Sequence, residues 1–210
     1  MALTPNSPAL CRFHPDTDAG EFTCQGCPGS AGHEEQDIDT FVSWGASYVK
    51  VDRCFGVDSE PMREALPDTF AKYRKAADNA PHKVQISAIL AATDNCWEWC
   101  NGTCDHCRTT GDITNSFGAM VSHVDQQSSI PFIEGFAGPG YFNDLDMLIV
   151  GNMSGKWYGG PGLNPNETKA HIALWAVLKS PILLSCDVGS LEGEVRAARS
   201  PCTGFVVQSV

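Results

Sequence analysis

The sequence predicts a parallel α/β fold on three observations. Two short apolar strands are separated by a helical segment, acids sit at strand ends, and Gly 20 with Pro 13 is more punctuation than a helical bundle would carry. Tyr48 to Asp52 is the first strand signal, with Val49 and Val51 on one face and Lys50 and Asp52 on the other. A strand that points a lysine and a carboxylate the same way at its C-terminal end is not aiming both at a plain core. A helical segment over 59–80, interrupted at Pro67, leads to a second apolar strand over 84–90. Upstream, residues 1–31 read as irregular, and a helix starts near His33. Glu34 and Glu35 occupy the positive end of its dipole, Ile38, Phe41 and Val42 form its apolar face, and Gly45 ends it. Downstream, 96–107 (Cys-Trp-Glu-Trp-Cys-Asn-Gly-Thr-Cys-Asp-His-Cys) reads as a cross-linked loop. A strand is predicted over 144–150, a helix over 168–179 ended by Pro181, and a last apolar strand over 181–186 followed by Asp187.

Composition bounds the function. The 210 residues suit one ordinary domain. Lys and Arg total 14 against 25 Asp and Glu, a formal charge of −11, and the basic residues are scattered singly. That excludes a binder of nucleic-acid backbones, which needs a concentrated basic patch. No apolar run approaches the roughly 20 residues of a membrane span. Ten cysteines point to an oxidising compartment, although MALTPNSPALCRF has no basic region feeding an apolar one and does not read as a signal peptide. Sequons begin at Asn101, Asn152 and Asn166, and they matter only in a secreted chain.

Several chemistries compete for the polar residues. A pair of carboxylates acting on a glycosidic bond needs one held ionised and one carrying a proton. Asp52 with Lys50 two residues before it suits the first role, and Asp112 with Arg108 four residues before it suits the second. The plainer reading makes both pairs ordinary ion pairs. Zinc is a second candidate, because Cys24-x-x-Cys27 and Cys104-x-x-Cys107 have ligand-like spacing with Cys100 and His106 nearby. Disulfides suit these cysteines better, since a strand–helix alternation lies between the two pairs. Cys54 lacks the local signature of a nucleophilic thiolate. The run Gly159-Gly160-Pro161-Gly162 lacks the Lys-Ser/Thr of a phosphate-binding loop.

Ordered blocks over roughly residues 16–190 then carry a resemblance. They include Asp18-Ala19-Gly20, Thr23-Cys24, Pro28-Gly29-Ser30, Gly32-His33-Glu34, Trp44-Gly45 and Tyr48-Val49-Lys50-Val51-Asp52 with Cys54. Arg108-Thr109-Thr110-Gly111-Asp112-Ile113, Asn143-Asp144-Leu145-Asp146-Met147-Leu148, Gly151-Asn152, Ala173-Leu174-Trp175-Ala176 and Lys179-Ser180-Pro181 with Asp187 complete them. In this order they resemble the α-galactosidase (melibiase) family of retaining glycoside hydrolases, glycoside hydrolase family 27. The resemblance implies a (β/α)8 TIM barrel, here partial, with 1–210 as a single catalytic-barrel fragment running from about strand 3 to strand 8. Strands 1 and 2 and the C-terminal β-domain would be missing.

The resemblance implies Asp52 as nucleophile and Asp112 as acid/base. It places Lys50, Cys54, Arg108, Asp18, Asp144 and Asp146 around the substrate, the last two as supporting acids, and bonds Cys24 to Cys54. The implied reaction is hydrolysis of terminal non-reducing α-galactosyl residues from oligosaccharides or glycoconjugates, with no cofactor and no metal. The partner would be a small-molecule or oligosaccharide substrate, and full-length members would be secreted, lysosomal or vacuolar. Departures from the family pattern are Asp16 in place of a tyrosine, Cys107 in place of an aromatic residue, and Leu145 in place of a proline. Ile89-Leu90-Ala91 replaces the stretch that reads the sugar's 2-position, and these losses predict weak turnover. Two other functions fit the sequence: an inactive carbohydrate-binding homologue using Trp97, Trp99 and Trp157 as stacking platforms, and a zinc- or disulfide-stabilised structural protein.

Overall fold

The computed structural model describes residues 16–54, 65–90, 95–151 and 159–186. Cys11, Cys202, Asn152, Trp157, Asp187 and the first part of the helix predicted over 59–80 lie outside them. The chain divides into two compact units, Met1–Cys107 and Arg108–Val210. In each unit short strands are flanked by helices, in keeping with part of a (β/α)8 barrel.

The first unit holds β1 (Asp16–Asp18), α1 (Glu34–Ser43), β2 (Tyr48–Asp52), α2 (Leu66–Asp78), β3 (Gln85–Ala88), α3 (Cys96–Trp99) and the start of β4 (His106–Arg108). The pairs β1–β2, β2–β3 and β3–β4 are parallel. The period of two in β2 is realised directly: Val49 and Val51 are fully buried while Lys50 and Asp52 are partly exposed. Gly45, at φ +88°, takes the left-handed turn that ends α1 and lets the chain enter β2. Ile38 of α1 and Phe70, Tyr73, Ala76 and Ala77 of α2 are buried with Val84, Ile86 and Ala88. Fully burying a side chain of the size of Ile38 or Phe70 contributes roughly 1.5–3 kcal/mol.

In the second unit α4 (Phe117–Ser128) is followed by a 3-10 turn at Ile133–Gly135, then β5 (Phe142–Asp144) and α5 (Pro165–Val177). Ile113, Met120, Leu145, Leu148, Ile149, Val150 and Trp175 form one core cluster. Among the described residues no helix is long and apolar enough to cross a membrane.

Several expectations change. Residues 16–18, read as irregular, form β1, held by its register on β2 rather than by any apolar run of its own. Pro67 lies in the first turn of α2, where a proline needs no N–H partner, and the part of the predicted segment before residue 65 lies outside the described residues. The stretch 96–107 contains a short helix and a strand as well as a cross-link. The strand predicted over 144–150 stops at Asp144. There Asp144 Oδ1 accepts the Asp146 N–H at 2.8 Å, and Asp146 sits at φ +85°, a side-chain turn that outcompetes the ladder. The apolar residues beyond it pack in the core, and the strand predicted over 181–186 is reduced to one bridge between Leu148 and Leu184. The last helix begins earlier than 168. Asn164 accepts from the N–H groups of Asn166 and Glu167 while Glu167 accepts from the Asn164 N–H, a reciprocal cap completed by Pro165.

Candidate active site

In the first unit the polar residues gather at the C-terminal ends of β1 and β2, the end of a parallel sheet where barrel enzymes place their chemistry. Lys50 Nζ lies 3.0 Å from Asp52 Oδ2 and 3.3 Å from Asp16 Oδ2. Asp52 Oδ1 accepts the Arg53 N–H at 2.8 Å, and 28% of the Asp52 side chain stays exposed. Burial alone would lower the Lys50 ammonium, but the carboxylates of Asp16 and Asp52 outweigh it and raise the group above its ordinary value. Lys50 is therefore a fixed positive charge beside Asp52 at any working pH.

Asp18 is fully buried, and its two oxygens accept the N–H groups of Gly20 and Cys54, both at 2.8 Å. Burial pushes its carboxyl up, against the two N–H bonds that pull it down. In this geometry Asp18 ties β1 to the segment after β2. Cys24 and Cys54 form a disulfide with Cα atoms 5.0 Å apart, across a sequence separation of 30. A loop of that length is worth about 4 kcal/mol in the chain-entropy account. Cys27 is also disulfide-bonded.

In the second unit the cluster is built around Arg108, the last residue of β4. Its Nη2 lies 3.1 Å from Asp112 Oδ1 and 3.0 Å from Asp146 Oδ2, and it donates to the carbonyls of Gly111 and Thr110. The Arg108 side chain is only 6% exposed, whereas that of Asp112 is 94% exposed. Asp146 Oδ1 accepts the Met147 N–H and its Oδ2 accepts the Ile113 N–H. Burial raises the Asp146 carboxyl, opposed by the Arg108 charge. The left-handed turn that aims Asp146 at Arg108 is braced from below by the buried Trp175, whose indole N–H donates to the Asp146 carbonyl at 2.7 Å. Asp144, also buried, accepts the Thr109 N–H on its carbonyl and the Asp146 N–H on its side chain.

The structure brings Lys50, Asp52, Asp18 and Cys54 together in one unit and Arg108, Asp112, Asp144 and Asp146 together in the other. Sequence reasoning missed the link from Asp16 to Lys50. Asp16 faces Lys50 only through the β1–β2 register, which no local pattern reveals. It also missed the backbone N–H groups of Arg53 and Ile113, which carry no side-chain signature. The competing readings lose ground. Cys24, Cys27 and Cys107 are in disulfides and so cannot serve as zinc thiolates. Trp97 is 7% exposed and offers no open stacking face, while Trp99 meets Phe70 with ring centroids 5.8 Å apart.

Comparison with known proteins converges on one family. A family model described as alpha galactosidase A, of the melibiase group, matches residues 13–200. An alpha-galactosidase of Oryza sativa subsp. japonica is 34% identical over 86% of this chain and 40% of its own length. Alpha-galactosidase 2 of Arabidopsis thaliana is 37% identical over 84% of this chain and 41% of its own length. A crystal structure of a putative alpha-galactosidase from Bacteroides fragilis superposes with a TM-score of 0.73 at 27% identity, covering 84% of this chain and 38% of that one. The chain spans about two fifths of the length of the curated relatives it matches. With the blocks at both strand-end clusters in the family's order and a family model running through both, this chain belongs to the melibiase family, glycoside hydrolase family 27.

Proposed function

We propose that the chain carries the chemistry of a retaining hydrolase of terminal α-galactosyl residues, with Asp52 as nucleophile and Asp112 as acid/base. One observation carries the reading: each of the two carboxylates that match the family's pair is held by a strand cation just before it in sequence, Asp52 by Lys50 and Asp112 by Arg108. In the first step an Asp52 oxygen attacks the anomeric carbon as the bond to the leaving oxygen breaks. The Asp112 proton passes to that oxygen. In the second step water attacks the glycosyl–Asp52 ester and gives its proton to Asp112, so two inversions return the original anomer. Retaining chemistry works at a carboxyl separation of about 5–5.5 Å.

The surroundings of each residue support its role. The Lys50 ammonium and the Arg53 N–H both contact the Asp52 carboxylate while leaving it open to a ligand. Asp112 stands in solvent, open to a ligand, and Arg108 fixes the direction from which it approaches. Leu90 is buried and supplies no hydrogen bond to a 2-hydroxyl or 2-acetamido group.

The test uses the chain with aryl and alkyl α-galactosides, following the first-formed anomer by NMR. Wild type is expected to release α-galactose first. Asp52→Asn should lose roughly 10³-fold or more in kcat/KM on both substrates. Asp112→Asn should lose far more on the alkyl than on the aryl substrate, whose leaving group needs no proton. Galactose binding without any release by wild type would replace this reading with that of a carbohydrate-binding homologue. A β-first product, or full activity in Asp52→Asn, would overturn the assignment of roles.

A further inference from the structure

The stretch from the end of β3 into β4 holds four cysteines, 96, 100, 104 and 107, and the proposed hydrolysis uses none of them. Cys96 and Cys107 are bonded, with Cα atoms 6.5 Å apart. Cys100 and Cys104 are thiols, both buried, with sulfurs 3.5 Å apart. The backbone between them is closed on itself. The N–H groups of Thr103 and Cys104 donate to the Cys100 carbonyl at 2.9 and 2.8 Å, the Thr103 hydroxyl donates to it at 3.1 Å, and Gly102 takes the positive φ of +97° that the turn requires.

An i→i+4 turn of this kind sets its end Cα atoms about 6 Å apart, inside the range of roughly 4.4–6.8 Å that a disulfide spans. Side-chain rotation alone can then bring the sulfurs from 3.5 Å to bonding distance, with the backbone already in place. Burial, and next the neighbouring Cys104, push the Cys100 thiol up, so it is protonated and slow to react while the turn is closed. The Cys100 sulfur also lies within 4.8 Å of those of Cys96 and Cys107. Three pairings are therefore within reach, but only one leaves the existing Cys96–Cys107 bond intact.

We propose that Cys100 and Cys104 are a second bridge-forming pair, a modification site that closes to an inner disulfide nested within Cys96–Cys107 when the chain meets a low-molecular-weight disulfide such as oxidised glutathione. The reaction balances in two exchanges. One protein thiolate attacks the glutathione disulfide and releases one glutathione thiolate, which takes up a proton. The second protein thiolate then attacks the mixed disulfide and releases another. Two protein thiols become one disulfide, and one glutathione disulfide becomes two glutathiones. The inner bridge would lock the segment that ends at Cys107, the residue preceding Arg108 in the chain. It stands whether or not the chain hydrolyses galactosides.

The experiment equilibrates the folded chain at pH 8 in glutathione buffers of increasing oxidised fraction, quenches in acid, alkylates the remaining thiols in denaturant and digests with trypsin. Residues 84–108 form one tryptic peptide containing all four cysteines. In reducing-poised buffer it should carry one bridge and two alkyl groups. At the oxidising end it should carry two bridges and none, with fragmentation placing them at 96–107 and 100–104. Cys100→Ser and Cys104→Ser should each hold one bridge and one alkylatable thiol throughout. If either variant fails to fold, the wild-type peptide alone decides. Two alkyl groups persisting at the most oxidising poise would overturn the proposal, as would crossed pairing, or stoichiometric cadmium uptake by the two thiols in place of oxidation.

Discussion

The two strand-end clusters solve the same electrostatic problem in opposite ways. At β2 the cation and its anions share the surface: the side chains of Lys50, Asp52 and Asp16 are 34%, 28% and 45% exposed. Around Arg108 the cation is the buried partner, with one anion, Asp146, buried beside it and the other, Asp112, standing in water. A half-exposed ion pair can be rearranged by a ligand at little cost, whereas a buried pair fixes geometry and is costly to break. The first arrangement therefore holds a charge in place. The second sets the direction of a group that stays free to move.

The sharpest way to break this contrast is to delete each cation. Arg108→Met leaves Asp146 buried without its counter-charge and should cost about 3–5 kcal/mol of stability, read as a fall in the urea midpoint at constant slope. Lys50→Met should cost less than about 1 kcal/mol in the same assay, because water can solvate Asp52 and Asp16. Equal losses would mean that the two clusters are structurally equivalent and that burial does not separate them.

Acidification should separate the units in a second way. The buried polar ring of the first unit, Tyr73, is raised by burial and stays neutral across the physiological range, with its hydroxyl donating to the Asp18 carbonyl at 3.4 Å. The second unit buries His171 edge-on against Trp175, and neither ring nitrogen has a partner among the described residues. Burial, with His123 adding to it, lowers His171 to about 4. Because the folded-state value is depressed below 6.5, the contribution is complete above pH 6.5 and is lost as the pH falls towards 4, to the extent of about 3 kcal/mol. Hydrogen exchange at pH 4.5 should show weaker protection in α5 than in α2. His171→Phe, which keeps a ring and removes the titration, should flatten that dependence. An unchanged pH profile in the variant would assign the acid sensitivity elsewhere.

Legibility followed the range of the interaction that decides each element. β2 was readable because Val49 and Val51 alternate with Lys50 and Asp52, and α1 because its apolar face and its Gly45 stop are local. β1 was not, since three residues acquire strand geometry only from a partner more than thirty positions away. α4 escaped because its buried face carries His123 and Gln127 beside Met120, which hides the apolar period, and its Ser116 cap is a single hydroxyl. The stretch after Asp144 misled because an apolar run is equally compatible with a strand and with irregular chain packed in a core, and the turn at Asp146 decided between them. At the site, the spacings Lys50–Asp52 and Arg108–Asp112 predicted pairs that the structure forms. Nothing in the spacing revealed that one cation would be exposed and the other buried.

Asp16→Asn probes the smallest term, the second anion on Lys50. Asp16 and Lys50 are register partners on adjacent strands, so the 3.3 Å contact between them is set by the backbone of the sheet. Removing that charge while keeping the shape should lower the raised Lys50 ammonium. A raised lysine stabilises the fold below its unfolded value near 10.5, and the benefit fades as the pH climbs through the folded value. Near neutrality the variant should therefore lose only a few tenths of a kcal/mol, as exposed pairs do. The difference should show instead in amine chemistry. A less raised ammonium makes Lys50 more reactive towards an acylating reagent at pH 9, measured by peptide mass spectrometry. Faster acylation with unchanged neutral stability would show Asp16 acting on Lys50 through its charge. No change in reactivity would mean that Asp52 alone holds the ammonium, and the β2 cluster would then be a simple pair.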